Sequence, residues 1–291
     1  VIREYALLGL LAGLWGSSYL FAKVALAEIP PLTLAATRVS IAALLLFCVL
    51  AVNKKQWPRD GATWRLLFVQ SLFNSTLAWA ILAWGQQYVA SGLAGVLNST
   101  SPIFVVLLTL VFLRREPPGG WQIGGALLGF AGVVTTIGVD VLGTLGRDVL
   151  PQLATLVSAL LYAVAALHGR RLAHVAPLVT AAATTLLAAV CLVPASLLLE
   201  HPWTLAPSMR SLGAACALGF FCTAVALLLY FRLLRTLGPM GVTSQSYLRS
   251  GVSVLLGILV LGEHVSPAVG IGLAAIILGV AAINWPSGRR A

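Results

Sequence analysis

Ten times along this chain the sequence runs through about 20 mostly apolar residues and then breaks at proline, glycine or a basic residue. A run of that length crosses the ~30 Å hydrocarbon core of a bilayer as a helix. The runs lie near 5–26, 32–52, 64–84, 92–113, 121–138, 149–168, 177–199, 211–231, 239–260 and 267–285. A water-soluble packing of the same runs would need a charged surface to cover them. Only 9% of the 291 residues are charged and 59% are hydrophobic, against about 25% charged in soluble chains. The sequence therefore predicts an all-α integral membrane protein with ten transmembrane helices.

The formal charge of +10 would point to nucleic acid in a soluble chain, but here it sits in the loops. With a cytoplasmic N-terminus, one side collects Arg3, Lys54, Lys55, Arg59, Arg65, Arg114, Arg115, Arg170, Arg171, Arg232, Arg235, Arg289 and Arg290. The other side holds Arg147, Arg210 and the helix-end Lys23. Basic residues accumulate on cytoplasmic loops, so both termini are expected inside and no nucleic-acid partner is expected. Ala25-Leu26-Ala27 resembles a signal-peptidase site. The run before it is long and interrupted by "WGSSY" and Lys23, which predicts a retained first helix.

Cys48, Cys191, Cys216 and Cys222 all fall within apolar runs without CxxC spacing. They read as small core residues rather than metal or redox groups. No HExxH motif, membrane aspartate pair, or serine with a base at matching depth is visible. Catalysis, metal and cofactor are therefore not expected.

Shifted by 147 residues, the two halves echo each other. "LLTLVFLRREPPGGWQIGGALLGFAGVV" (107–134) lies over "VLLGILVLGEHVSPAVGIGLAAIILGVA" (254–281) without a gap. Glu116 falls on Glu263, Gly125 on Gly272, Gly132 on Gly279 and Val133 on Val280, with Ser99 on Ser246 and Val105 on Val252 upstream. Five helices per half is an odd number, so the second half enters the membrane upside down. The expected organisation is two inverted five-helix repeats (5+5), residues 1–138 and 149–285, with solute held near the midplane between them.

With "LWGSSYLFAK" in the first helix and this doubled helix–Glu–glycine pattern, the chain resembles the EamA family of the drug/metabolite transporter superfamily. Within it the similarity is greatest to bacterial exporters of amino acids, including the aromatic type. The resemblance implies a proline fourteen residues before each repeat's Glu. Pro102 keeps it, but Arg249 stands in the second place. The small multidrug-resistance relatives use a first-helix glutamate for proton exchange, and no acidic residue lies between Tyr5 and Ala27 here.

Arg249 defines the candidate site. A charged side chain at the bilayer centre costs at least about 2.5–3.5 kcal/mol on insertion scales. All eight acids, Glu4, Glu28, Asp60, Glu116, Asp140, Asp148, Glu200 and Glu263, lie near the ends of predicted spans. Arg249 thus has no carboxylate at its own depth, and no coupling carboxylate is expected in the bilayer core. Backbone carbonyls, hydroxyls, water or a ligand anion must meet it, and a planar guanidinium suits a carboxylate. The alternative is a structural arginine that snorkels or braces a broken helix end.

Gln245 shares a helical face with Arg249, and Ser246 and Ser250 repeat that spacing. Asn98, Ser101 and Pro102 occupy matching positions in the first half. Trp15, Tyr19, Trp79, Tyr162, Tyr230 and Tyr247 lie deep in their spans, either as a wall for an organic solute or as packing. Trp57, Trp64, Trp121, Trp203 and Trp285 sit near span ends as interface anchors. Lys23 and Arg38 are expected to snorkel, and His168 to be a solvated loop histidine. Gly9/Gly13, Gly120/Gly124 and Gly125/Gly129 are expected to pack helices closely within the chain.

The function these features favour is secondary transport of small organic metabolites by alternating access, with amino acid export, possible for aromatic ones, as the leading reading. The protein is expected as a monomer in the bacterial inner membrane, its partners being the small-molecule substrate and the lipid bilayer. Import or exchange of a sugar, nucleotide sugar or drug-like cation remains open, as does a lipid-handling protein or receptor.

Overall fold

The computed structural model describes residues 2–112, 119–137, 149–236, 245–264 and 266–283. Every regular element among them is helical. In chain order, α1 is Ile2–Ala25, α2 Pro31–Val52, α3 Gly61–Tyr88 and α4 Ser91–Asn98 resuming as Ser101–Phe112. Next come α5 Gly120–Ile137, α6 Val149–Gly169 and α7 Pro177–Leu199. The helix α8 runs from Met209–Gly219 through Phe220–Val225 into Ala226–Thr236, followed by α9 Gln245–Leu261 and α10 Pro267–Ile283. Seven of the described helices are long and apolar enough to cross a membrane by length and composition. The helices α9 and α10 are apolar but shorter, at 17 residues each.

The helix starts follow from local chemistry. Proline opens α2, α7 and α10, where a missing N–H is one of the orphans anyway. Asp60 caps α3 through the Thr63 amide at 2.7 Å, and Ser208 caps α8 through the Ser211 amide at 3.3 Å.

Three further caps come from elsewhere in the chain. Glu200, at the end of α7, accepts from the Leu32 and Thr33 amides at 2.9 and 2.6 Å at the start of α2. Glu28, after α1, accepts from the Ser208 amide and hydroxyl just before α8. Glu263, after α9, accepts from the Ser91 and Gly92 amides at 2.6 and 3.0 Å at the start of α4. A helix N-terminus leaves four amides unpaired and carries partial positive charge, so each carboxylate pins one helix to another. Glu4 pairs with Arg232 at 2.9 Å. All five described acids are thus committed at helix ends, and Glu116, Asp140 and Asp148 lie outside the described residues.

Large apolar side chains face outward: Leu44, Phe47, Phe130, Leu198, Leu259 and Ile271 are exposed. Alanine and small polar residues face inward, among them Ser75, Thr76, Thr155, Ser158, Thr184, Thr185 and Thr223. Lipid rewards an apolar outer face, while small residues let helix backbones approach and hydroxyls bond within the bundle. Cys222 is buried as expected, but Cys48 and Cys216 are exposed. In a membrane the outer face is as apolar as the core, so an apolar neighbourhood did not place them inside.

Helix bounds recur along the chain. The runs Ile2–Ala25 and Val149–Leu172 start and end 147 residues apart. The π-helical turns of α3, Leu72–Thr76, and α8, Phe220–Val225, overlap under the same shift. The helices α5 and α10 meet backbone to backbone. A Cβ on Gly279 would lie 2.5 Å from Gly125 O and 2.6 Å from Gly129 N, and one on Gly132 would lie 2.7 Å from Gly272 O. The Gly125/Gly129 expectation thus holds. Gly9, Gly13, Gly120 and Gly124, however, have nothing within 4 Å. Spacing alone does not say which side of a helix has a neighbour.

Candidate functional site

Arg38, on α2, is a half-buried charged group within a candidate span. Its guanidinium carbon lies 4.1 Å from the centroid of the Trp79 ring on α3. Its Nε donates to Thr223 Oγ1 on α8 at 2.8 Å. Thr223 Oγ1 in turn donates to Leu218 O at 2.9 Å, five residues back, so the π turn orients the hydroxyl that receives the arginine. The expected snorkelling of Arg38 does not occur. The side chain is half-buried, and a cation–π contact with one charge-assisted hydrogen bond offsets part of its desolvation.

Arg249 approaches the same region from α9. Its carbonyl lies against Gly16 of α1, where a Cβ would stand 3.0 Å from Arg249 O. Its Nε is buried without a hydrogen-bond partner. Tyr162 on α6 stands within electrostatic range of both guanidinium groups and of Tyr19. No described acid lies at this depth.

A polar chain continues beside them. Tyr19 donates to Asn98 Oδ1 at 3.0 Å, and Asn98 Nδ2 reaches Ser158 Oγ at 3.4 Å. Ser158 donates to Ala78 O at 2.9 Å, next to Trp79. Trp15 packs on Tyr230 with ring centroids 5.5 Å apart. Trp79 and Thr223 thus contact Arg38 directly, with Tyr19 and Tyr162 in range of it. Asn98 is joined through Tyr19 and Arg249 through Tyr162, and Trp15 and Tyr230 form a separate pair on α1 and α8.

Other expected members stand elsewhere. Ser250 is buried and donates to Ser99 Oγ, a contact between α9 and α4. Ser101 and Pro102 open the second part of α4, after the break at Ser99 and Thr100, and are half-buried. The side chains of Gln245 and Tyr247 lie outside the described residues. Sequence reasoning missed Ser158 and Thr223 and misassigned Arg38. The available signal was the position of Arg38 well inside an apolar run.

Lys23 also departs from expectation. Its Nζ donates to Gln86 O, Gln87 O and Val89 O, each at 3.0 Å, and so satisfies all three ammonium donors at the end of α3. A cation there also suits the negative end of the helix dipole. His168 is likewise not a free loop histidine: its Nε2 lies 3.1 Å from Leu66 O on α3.

Comparison with known proteins agrees with this architecture. The sequence pattern of the EamA-like transporter family matches residues 3–138 and again 150–285. The inner membrane transporter YedA of Escherichia coli K12 is 25% identical over 93% of this chain and 87% of its own length. The transporter YvbV of Bacillus subtilis 168 is 27% identical over 98% and 92%. A protein of known crystal structure superposes with a TM-score of 0.68 at 23% identity, over 96% of this chain and 97% of that one. That likeness concerns the fold.

Proposed function

The chain belongs to the EamA-like transporter family, and on that premise we propose that it is a secondary transporter exporting small organic metabolites that carry a carboxylate, amino acids above all. Arg249 carries the reading: its Nε is buried without a partner at a depth where no described acid can neutralise it. A substrate carboxylate supplies the paired acceptors that a guanidinium fork matches. Water meets the same group when the site is empty.

We propose further that residues 1–138 and 149–285 are inverted five-helix repeats, giving ten spans with both termini cytoplasmic in the inner membrane. The 147-residue recurrence of helix bounds and π turns supports this. So does the reciprocal packing of Gly125 with Gly279 and of Gly132 with Gly272. Rocking of the halves about the arginine region then gives alternating access. Aromatic amino acids receive less support than the sequence suggested. The Trp79 ring is covered by Arg38 and the Trp15 ring by Tyr230, so neither is a bare wall.

Purified protein in liposomes, loaded with labelled amino acids, tests the reading. Arg249→Lys should weaken carboxylate transport and Arg249→Gln should abolish it, with both variants normally folded. Parental transport by both would refute it. Cysteine labelling that places the loop at Lys54–Arg59 outside would refute the topology.

A further inference from the structure

We infer that Arg38 forms a second anion-binding subsite, so that the transported solute carries two acidic groups: the class is the dicarboxylates, acidic amino acids included. The inference rests on the carboxylate reading of Arg249 and adds a second seat to it.

Two contacts hold the Arg38 guanidinium in place and leave its outer edge unused. The Trp79 ring supports one face, and the Thr223 hydroxyl fixes Nε. The two terminal nitrogens make no hydrogen bond with the described residues and keep some accessible surface. They are a fork of donors held ready at no further ordering cost, which suits bidentate recognition of a carboxylate. A brace that only joined α2, α3 and α8 would be expected to spend those nitrogens on backbone carbonyls, as Lys23 spends its ammonium on three.

Charge balance gives the same answer. Arg38 and Arg249 both lie within electrostatic range of Tyr162, and the described acids are engaged at helix ends. A monocarboxylate bound at Arg249 leaves one interior cation unbalanced in a low-dielectric setting, whereas a dicarboxylate neutralises both. The half-buried Tyr162 stands nearby as a neutral polar group, which suits the remainder of a polar solute better than a second cation. Tyr19 and Asn98 are buried and bonded to each other.

The test compares succinate with butyrate, and L-glutamate with L-glutamine, in uptake by proteoliposomes. The parent should favour the dicarboxylate of each pair by tenfold or more, about the worth of one charge-assisted hydrogen bond. Arg38→Gln should reduce that preference about tenfold, read as the ratio of dicarboxylate to monocarboxylate uptake. Thr223→Val keeps the charge but frees Nε, and should raise the dicarboxylate KM severalfold more than the monocarboxylate KM. That variant keeps the test open if Arg38→Gln does not fold. A parent without dicarboxylate preference, or a preference unchanged in both variants, overturns the second subsite and leaves the Arg249 reading standing. Uptake of none of the four probes, with a non-acidic solute carried instead, overturns both.

Discussion

Removing the carboxylate of Glu263 should unpin α4 from the end of α9. Glu263 accepts from the Ser91 amide at 2.6 Å and the Gly92 amide at 3.0 Å, two of the four amides that a helix start leaves unpaired. A hydrogen bond to a charged group is worth about 1.5–3 kcal/mol when buried, and loss of a helix cap costs about 1 kcal/mol. Glu263 is only half-buried, so solvent screens part of its charge. Glu263→Ala is therefore expected to cost about 2–3 kcal/mol, and Glu263→Gln, which keeps one acceptor, about 1 kcal/mol. Gly257 supplies an independent probe. A Cβ there would collide with the Glu263 carboxylate and stand 3.1 Å from Ser91 Oγ, so Gly257→Ala should expel the cap and reproduce much of the loss. Because both changes remove one contact, the double variant Gly257→Ala/Glu263→Ala should be less destabilised than the summed singles. Thermal unfolding of the detergent-solubilised protein, followed by intrinsic fluorescence, measures all four. Parental stability in Glu263→Ala, or strict additivity in the double variant, would refute the capping argument.

Lys23→Met should destabilise the α1–α3 contact by about 1–3 kcal/mol, since it leaves three carbonyls without their ammonium donor, and thermal unfolding reads it. Gly279→Ala sets a Cβ against Gly125 O and Gly129 N, backbone atoms that cannot rotate away. It should cost about 1–3 kcal/mol as overpacking, whereas Gly9→Ala, with open space at its Cβ, should leave Tm within a degree or so of the parent. The Ser208 amide, and then its hydroxyl, hold the Glu28 carboxyl below its ordinary value of 4.5. A depressed folded-state value contributes stability above the unfolded one that is lost as pH falls through the folded one. Tm should therefore drop on acidification below about pH 4.5, and Glu28→Gln should flatten part of that fall.

What the sequence determined by itself is where along the chain the helices lie and end. Apolar run length set the helices, since a bilayer demands about 20 residues per crossing. Proline and acidic residues marked their ends because backbone amides go unpaired there, and the 147-residue echo anticipated the recurring helix bounds. Tertiary structure decided everything that depends on direction around each helix axis. Arg38 faces Trp79 and Thr223 rather than an interface, Ser250 faces Ser99, and Gly125 and Gly129 meet neighbours while Gly120 and Gly124 do not. In a soluble helix, polar residues mark the outward face. In lipid both faces are apolar, so the sequence carries no comparable stripe, and only the packed bundle shows which side chains share the interior.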